Sequence, residues 1–229
     1  MLLHLKSLLR PDELTTARSL LGDDAPWVDG RGSAGGQAVH EKNNEQLAQD
    51  SPQAARLREL VLAALQRDPV FFAAALPRRI FNPMFNRYRG GSNHYGAHID
   101  GAVLQSRQPA QWVRTDLSCT LFLANPGDYD GGELVIHEPQ GAQRVKLPAG
   151  DLVVYPGSTL HEVTPVTRGA RIASFFWVES MVRSPEQRRL LLEMDMALVK
   201  LRARTDANAP ELVQLTGTYH NLLRMWADT

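Results

Sequence analysis

Cysteine occurs once, at Cys119, so no internal disulfide can form. A lone thiol fits a reducing compartment. Also missing is any apolar run near the roughly 20 residues that cross a bilayer. The richest runs, VLAALQ and VFFAAALP, fall far short of that length. The opening MLLHLKSLLRPDEL is short and broken by His4, Lys6 and Arg10, unlike a secretory leader. Neither charge is in surplus: 25 Lys and Arg face 25 Asp and Glu. A global draw towards nucleic acid or anionic membrane is thereby removed. Repeats and low-complexity tracts are absent. The expectation is a soluble, cytoplasmic protein without membrane or nucleic-acid partners.

What is present is ordinary globular material, 229 residues of which 43% are hydrophobic and 22% charged. That length supports one sizeable core with an appended helical piece. The first third reads as mainly helical. Pro11 suits a first helical position, Asp12 and Glu13 a helix N-terminus, and Gly22 an end. WVDGRGSAGGQA (27–38) is a glycine-rich loop, and 44–66 carries Leu47, Leu57, Leu60, Val61 and Leu65 at helical spacing.

From Ile80 the texture changes to short strand-like runs: IFNPMFNRY, DLSCTLFLAN, GELVIHE, QRVKL, DLVVYP, LHEVTPV and ARIASFFWVE. Turn residues separate them, a spacing that predicts a sandwich or jelly roll. Helix returns at Ser184-Pro185-Glu186-Gln187, and a second helix follows Pro210. The predicted class is α+β with a mainly β core, divided into a helical support region (1–79), the jelly roll (80–182) and a helical extension (183–229).

Seven histidines are present. His4, His40, His94, His137 and His220 read as solvated or structural. His98 and Asp100, within GSNHYGAHIDG, are two apart, and on extended chain that spacing sends both side chains to one face. His161, after a Pro-Gly turn, is the best third ligand. Two imidazoles and a carboxylate leave about half of an octahedron open, the facial arrangement of non-haem Fe(II) oxygenases.

Arg171 adds weight. If Thr167-Arg168-Gly169 turns a hairpin, Arg171 shares a face with His161, offset by roughly 13 Å at about 3.3 Å per residue. A five-carbon diacid on the metal plus an extended guanidinium could span that distance. Charge also balances, since a ferrous dication, Asp100, a 2-oxoglutarate dianion and Arg171 sum to zero. A turn centred near Asn93 would likewise set Tyr88 opposite His98, within reach of the cosubstrate. Tyr95 stands beside the motif, and either packing or the site would suit it. Lys42, Asn43 and Asn44 read as a surface helix entry or part of a substrate mouth. GDYDGGE lacks EF-hand spacing and reads as a turn, and Cys119 as a small core residue.

At this point the sequence resembles the PKHD-type hydroxylases, bacterial relatives of the prolyl 4-hydroxylase group of Fe(II)/2-oxoglutarate dioxygenases. The marks are DGRGSAGGQAVHEKNNEQL, FNRYRGGSNHYGAHIDGA, RTDLSCTLFLANPGDYDGGELVI, the segment from VKLPAGD to MVR, and PEQRRLLLEMD. They span most of the chain. HEPQG, where a more polar turn is the family habit, is a departure that leaves the four site positions untouched. The resemblance implies a double-stranded β-helix, iron on His98, Asp100 and His161, 2-oxoglutarate on Arg171, and ascorbate as reductant. The implied activity hydroxylates a C–H bond of a prolyl or lysyl residue or a small metabolite, consuming O2 and releasing succinate and CO2. A non-catalytic iron or 2-oxoglutarate sensor and a zinc hydrolase are the rivals; the latter leaves Arg171 without a task. The apolar run RRLLLEMDMALVKL suggests packing on the barrel or a homodimer contact.

Overall fold

The computed structural model describes residues 2–229 apart from Ala34, Gln37, Gln108 and Ala207, with Arg107 described by its backbone alone. Two members of the glycine-rich run, Ala34 and Gln37, therefore lie outside the described residues. The chain opens with β1 (Leu3–Leu5), α1 (Pro11–Leu20) and β2 (Trp27–Asp29), then a 3-10 turn at Gly30–Ser33. Next come α2 (Ala38–Glu41), β3 (Lys42–Asn43), β4 (Glu45–Leu47), α3 (Pro52–Arg67) and α4 (Pro69–Ala75). Strands follow: β5 (Pro77–Ile80), β6 (Met84–Tyr88), β7 (His94–His98), β8 (Val103–Arg107), β9 (Ala110–Arg114) and β10 (Leu117–Phe122). After a 3-10 turn at Pro126–Asp128 come β11 (Tyr129–Gly131), β12 (Leu134–Glu138), β13 (Gly141–Val145) and β14 (Leu152–Pro156). β15 (His161–Val163), β16 (Val166–Gly169) and β17 (Arg171–Ser180) complete the strands before α5 (Pro185–Arg202) and α6 (Pro210–Trp226).

Two antiparallel sheets form a jelly roll. The larger has eight strands in the order β1-β14-β10-β17-β6-β4-β2, with β5 also on β17; the smaller runs β13-β12-β15-β7-β3. Helix α3 presents Ala54, Leu57, Val61, Ala64 and Leu65, one stripe at helical spacing, to a core shared with Phe85, Cys119, Leu121 and Phe176 of the larger sheet. A second core of Tyr88, Phe122, Leu134, Ile136, Val153 and Val163 fills the space between the sheets. α5 and α6 pack around Leu76, Val182, Leu191, Leu198 and Leu212. Ser184 caps α5 by accepting from Gln187 N, as the sequence predicts.

Several expectations are corrected. The helix predicted over 44–66 begins only at Pro52, capped by Ser51, because 45–47 is strand in the larger sheet. The first third thus carries helices and also three strands of that sheet, β1, β2 and β4. IFNPMFNRY divides into the end of β5 and β6. Between them lies Pro83, which has no N–H to give a ladder.

Arg89 and Ser92 close a tight turn around Gly90-Gly91 by two backbone hydrogen bonds, but neither predicted pairing of the flanking strands forms. β15 pairs with β12 and β7 in the smaller sheet, whereas β17 pairs with β10 and β6 in the larger. The intervening β16 pairs with β11 instead. Gly169 makes this crossing possible: its φ is +71°, and a Cβ there would meet Asp128 O at 2.1 Å. Only glycine tolerates both.

Candidate metal and cosubstrate centre

The residues expected to converge are exchanged between partners. His161 lies directly opposite His98, and Arg171 directly opposite Tyr88. The first pair belongs to the smaller sheet and the second to the larger, so the site is assembled across the barrel. β7 ends at His98, and Asp100 follows just beyond it. Between them Ile99 is 57% exposed, so the period-two alternation continues past the strand end.

His98, Asp100 and His161 each offer a ligand atom, all within 4.8 Å of one another; among the described residues no other such group of three occurs. Each Nε2 lies 3.8 Å from an Asp100 oxygen. His98 Nδ1 meets Gly96 O at 2.8 Å and His161 Nδ1 meets Thr159 O at 3.0 Å. A carbonyl only accepts, so Nδ1 carries the proton and Nε2 presents its lone pair. Burial, followed by the neighbouring His161, lowers the His98 pKa to about 4, which keeps the ring neutral. Tyr95 stacks on that ring at 3.7 Å.

Asp100 is oriented by two donors the sequence reading missed. Ser118 Oγ donates to Oδ2 at 2.6 Å and Trp177 Nε1 donates to the same oxygen at 2.8 Å. Ser118 and Trp177 are cross-strand neighbours. The signal was present in ARIASFFWVE, because Trp177 lies an even number of positions from Arg171 and so faces the same side.

The three residues, Arg171 and Tyr88 all line one cavity of 1140 Å³. Arg171 is 1% exposed and sits between the rings of Tyr88 and Phe122, at 5.2 and 5.3 Å. Its Nε and one terminal nitrogen have no hydrogen-bond partner among the described residues. A buried guanidinium with idle donors calls for an anion that the protein does not supply. The Tyr88 hydroxyl accepts from Asn86 Nδ2 at 3.3 Å, leaving its own proton available. Burial pushes the Tyr88 pKa up. Two neutral imidazoles and a carboxylate suit a divalent ion, and the idle guanidinium donors suit the far carboxylate of a diacid. The donor set therefore fits Fe(II) with 2-oxoglutarate.

Of the two readings open for Lys42, a surface helix entry or part of a substrate mouth, the structure departs from the first, since Lys42 opens strand β3. It is 4% exposed, lines the same cavity, and burial lowers its pKa to about 8. The remaining histidines stay outside that lining. His4 holds Asp151 at 2.7 Å, His94 contacts its neighbour Asn93 at 3.1 Å, and His137 meets Glu162 at 3.3 Å. In GDYDGGE, Asp130 is paired with Arg168 and Glu133 with Arg144, each at 2.7 Å.

Known proteins agree with this architecture. The model of the 2OG-Fe(II) oxygenase superfamily matches residues 83–179, and that of the PKHD-type hydroxylase C-terminal domain matches 186–228. A PKHD-type hydroxylase of Variovorax paradoxus is 57% identical over 228 residues, covering 100% of both chains. One from Verminephrobacter eiseniae is 58% identical over 229 residues, again covering 100% of each. Among solved structures, a Trichoplax adhaerens prolyl hydroxylase in complex with a hypoxia inducible factor peptide fragment superposes with a TM-score of 0.56. It shares 16% identity and covers 83% of this chain and 86% of that one, a likeness of fold. With full-length relatives at this identity, the chain belongs to the PKHD-type hydroxylases of the 2OG-Fe(II) oxygenase superfamily.

Proposed function

We propose that this protein hydroxylates a C–H bond of a substrate with O2 and 2-oxoglutarate, holding Fe(II) on His98, Asp100 and His161. The observation that carries the reading is the pairing of two centres in one cavity: three ligand atoms within 4.8 Å of one another, and a buried Arg171 with unpaired donors. When bound, iron and 2-oxoglutarate supply the oxidising chemistry, with succinate and CO2 as products.

The protein's own residues prepare the site. Gly96 O and Thr159 O fix both imidazole tautomers, while Ser118 and Trp177 occupy Asp100 Oδ2 and Oδ1 faces His98 Nε2 at 3.8 Å. Arg171 takes the far carboxylate of the cosubstrate by paired, charge-assisted hydrogen bonds, and Tyr88 is placed beside it. The apolar walls around Phe122 exclude water from that end, strengthening the ion pair.

Ascorbate is assigned as the reductant that restores iron, and the cytoplasm as the location. No helix among the described residues is long and apolar enough to cross a membrane. A homodimer through the C-terminal helices draws support from exposed Leu190 and Val199 on α5 and Val213 and Leu215 on α6; light scattering tests it. The substrate is a prolyl or lysyl side chain or a small metabolite.

Asp100→Ala is the direct test. It should abolish Fe(II) binding by calorimetry together with succinate formation from 2-oxoglutarate. Full iron occupancy and activity in that variant would remove Asp100 from the ligand set.

A further inference from the structure

The run Lys42-Asn43-Asn44-Glu45-Gln46 is wholly polar, yet alternate members are buried. Lys42, Asn44 and Gln46 are 4, 3 and 4% exposed. The segment is extended and crosses from the smaller sheet, where β3 pairs with β7, to the larger, where β4 pairs with β6. Its outward side chains are satisfied: Asn43 donates to Gly91 O at 2.6 Å, and Glu45 accepts from Arg87 and Arg89.

The inward side chains are not. Among the described residues the Gln46 amide nitrogen and Oδ1 of Asn86, which lies opposite Gln46, have no hydrogen-bond partner, and Asn44 reaches only the Tyr88 hydroxyl. Lys42 Nζ donates to Ser33 Oγ at 2.8 Å and lies over the Tyr95 and Phe175 rings, pairing with no carboxylate among the described residues. All four inward residues line the cavity that holds His98, Asp100, His161 and Arg171. Buried carboxamides without partners are costly, and a native protein keeps them where a ligand completes them.

Charge narrows the ligand. On the reading above, Asp100 and the cosubstrate dianion answer the ferrous ion and Arg171. Lys42 is then the buried cation of the lining without a direct ion-pair partner among the described residues, feeling Asp100 and Asp29 only through space. A second cosubstrate role is not needed, since both carboxylates of 2-oxoglutarate are already engaged. We infer that Lys42, Asn44, Gln46 and Asn86 form the substrate subsite, and that the substrate is an acid. Its carboxylate meets Lys42, and a neighbouring amide or hydroxyl meets the carboxamides. This inference rests on the proposed iron and 2-oxoglutarate site.

The test uses the full chain loaded anaerobically with Fe(II) and 2-oxoglutarate. Calorimetry measures binding of L-amino acids and hydroxy acids, each paired with its primary amide. Blocked tripeptides containing Asp or Glu, paired with their Asn or Gln counterparts, separate a peptide's acidic side chain from a free acid. At least one acid should bind about 10- to 100-fold more tightly than its amide, the worth of one charged hydrogen bond. Lys42→Met should collapse that ratio, and Lys42→Arg should restore much of it. Circular dichroism verifies folding, with Lys42→Gln as the second variant.

Equal binding of acids and amides overturns the inference, as does a preference that survives in Lys42→Met. So does failure of every acid up to about 10 mM, a concentration at which even weak binding registers. If Lys42→Met weakens 2-oxoglutarate as severely as Arg171→Met, Lys42 belongs to the cosubstrate pocket and the subsite fails while the metal centre stands. If the unsubstituted protein binds neither Fe(II) nor 2-oxoglutarate, both readings fall together.

Discussion

Asp100 shows how much of a site lies in the groups behind it. One oxygen takes hydrogen bonds from Ser118 and Trp177, and their cross-strand pairing fixes the direction of the carboxylate. Partners of this kind are worth about 10- to 100-fold in metal affinity. Trp177→Phe and Ser118→Ala should each weaken Fe(II) or Co(II) binding by about tenfold or more while the fold persists, as metal titration would read. Arg171 is the complementary case, a buried charge whose partner, on the proposed function, is the cosubstrate. Arg171→Met keeps much of the stem volume but loses the fork. It should raise the 2-oxoglutarate requirement by about 100-fold, with Fe(II) binding retained in the same titration. Equal loss of both ligands would mean that the substitution collapsed the barrel instead.

At the scale of elements, the crossing between sheets is what brings Arg171 into the cavity lined by His98, Asp100 and His161. Gly169 accepts the positive φ and the approach of Asp128 O that this crossing demands. Gly169→Val should cost about 2–4 kcal/mol, seen as a lowered unfolding midpoint, because strain and a backbone clash act together. Helix α1 is tied to α3 by Glu13, which accepts from Arg67 at 2.7 and 2.9 Å. The Arg67 guanidinium lowers the Glu13 pKa from 4.5 to about 2. The stabilisation is therefore complete above pH 4.5 and fades as the pH falls towards about 2. Glu13→Gln should lose stability at neutral pH and show a shallower acid decline across that window. Parallel acid melts of the two proteins would settle it.

For the whole molecule, the cavity is a place where stability and function oppose one another. Arg171, Gln46 and Asn86 are buried with donors or acceptors that find no partner among the described residues. A protein built this way is stabilised by whatever completes it. Fe(II) at about 100 times its dissociation constant should add about 2.7 kcal/mol, and 2-oxoglutarate at the same ratio about as much again, each raising the melting midpoint by about 5–10 °C. A chelator should reverse the gain. If melting is indifferent to both ligands, neither enters this cavity with useful affinity.

The strands from Met84 onward that alternate cleanly, the Pro-marked helix starts and the shared face of His98 and Asp100 were legible in the sequence because they follow from local chemistry. Ser184-Pro185 caps α5, alternation in ARIASFFWVE marks a strand, and the HxD spacing puts His98 and Asp100 on one side. Partnership was not legible. Local turn signals put His161 and Arg171 on one hairpin, four residues apart, and Tyr88 opposite His98, whereas the barrel pairs His161 with His98 and Arg171 with Tyr88. Long-range pairing depends on burial of whole sheet faces, which no window of neighbouring residues reports. The polar run from Lys42 to Gln46 makes the same point. Its composition reads as surface, and only the closure of two sheets around it turns three of its side chains inward. The sequence alone determined which chemical groups exist; the tertiary structure decided which of them meet and which are taken out of water.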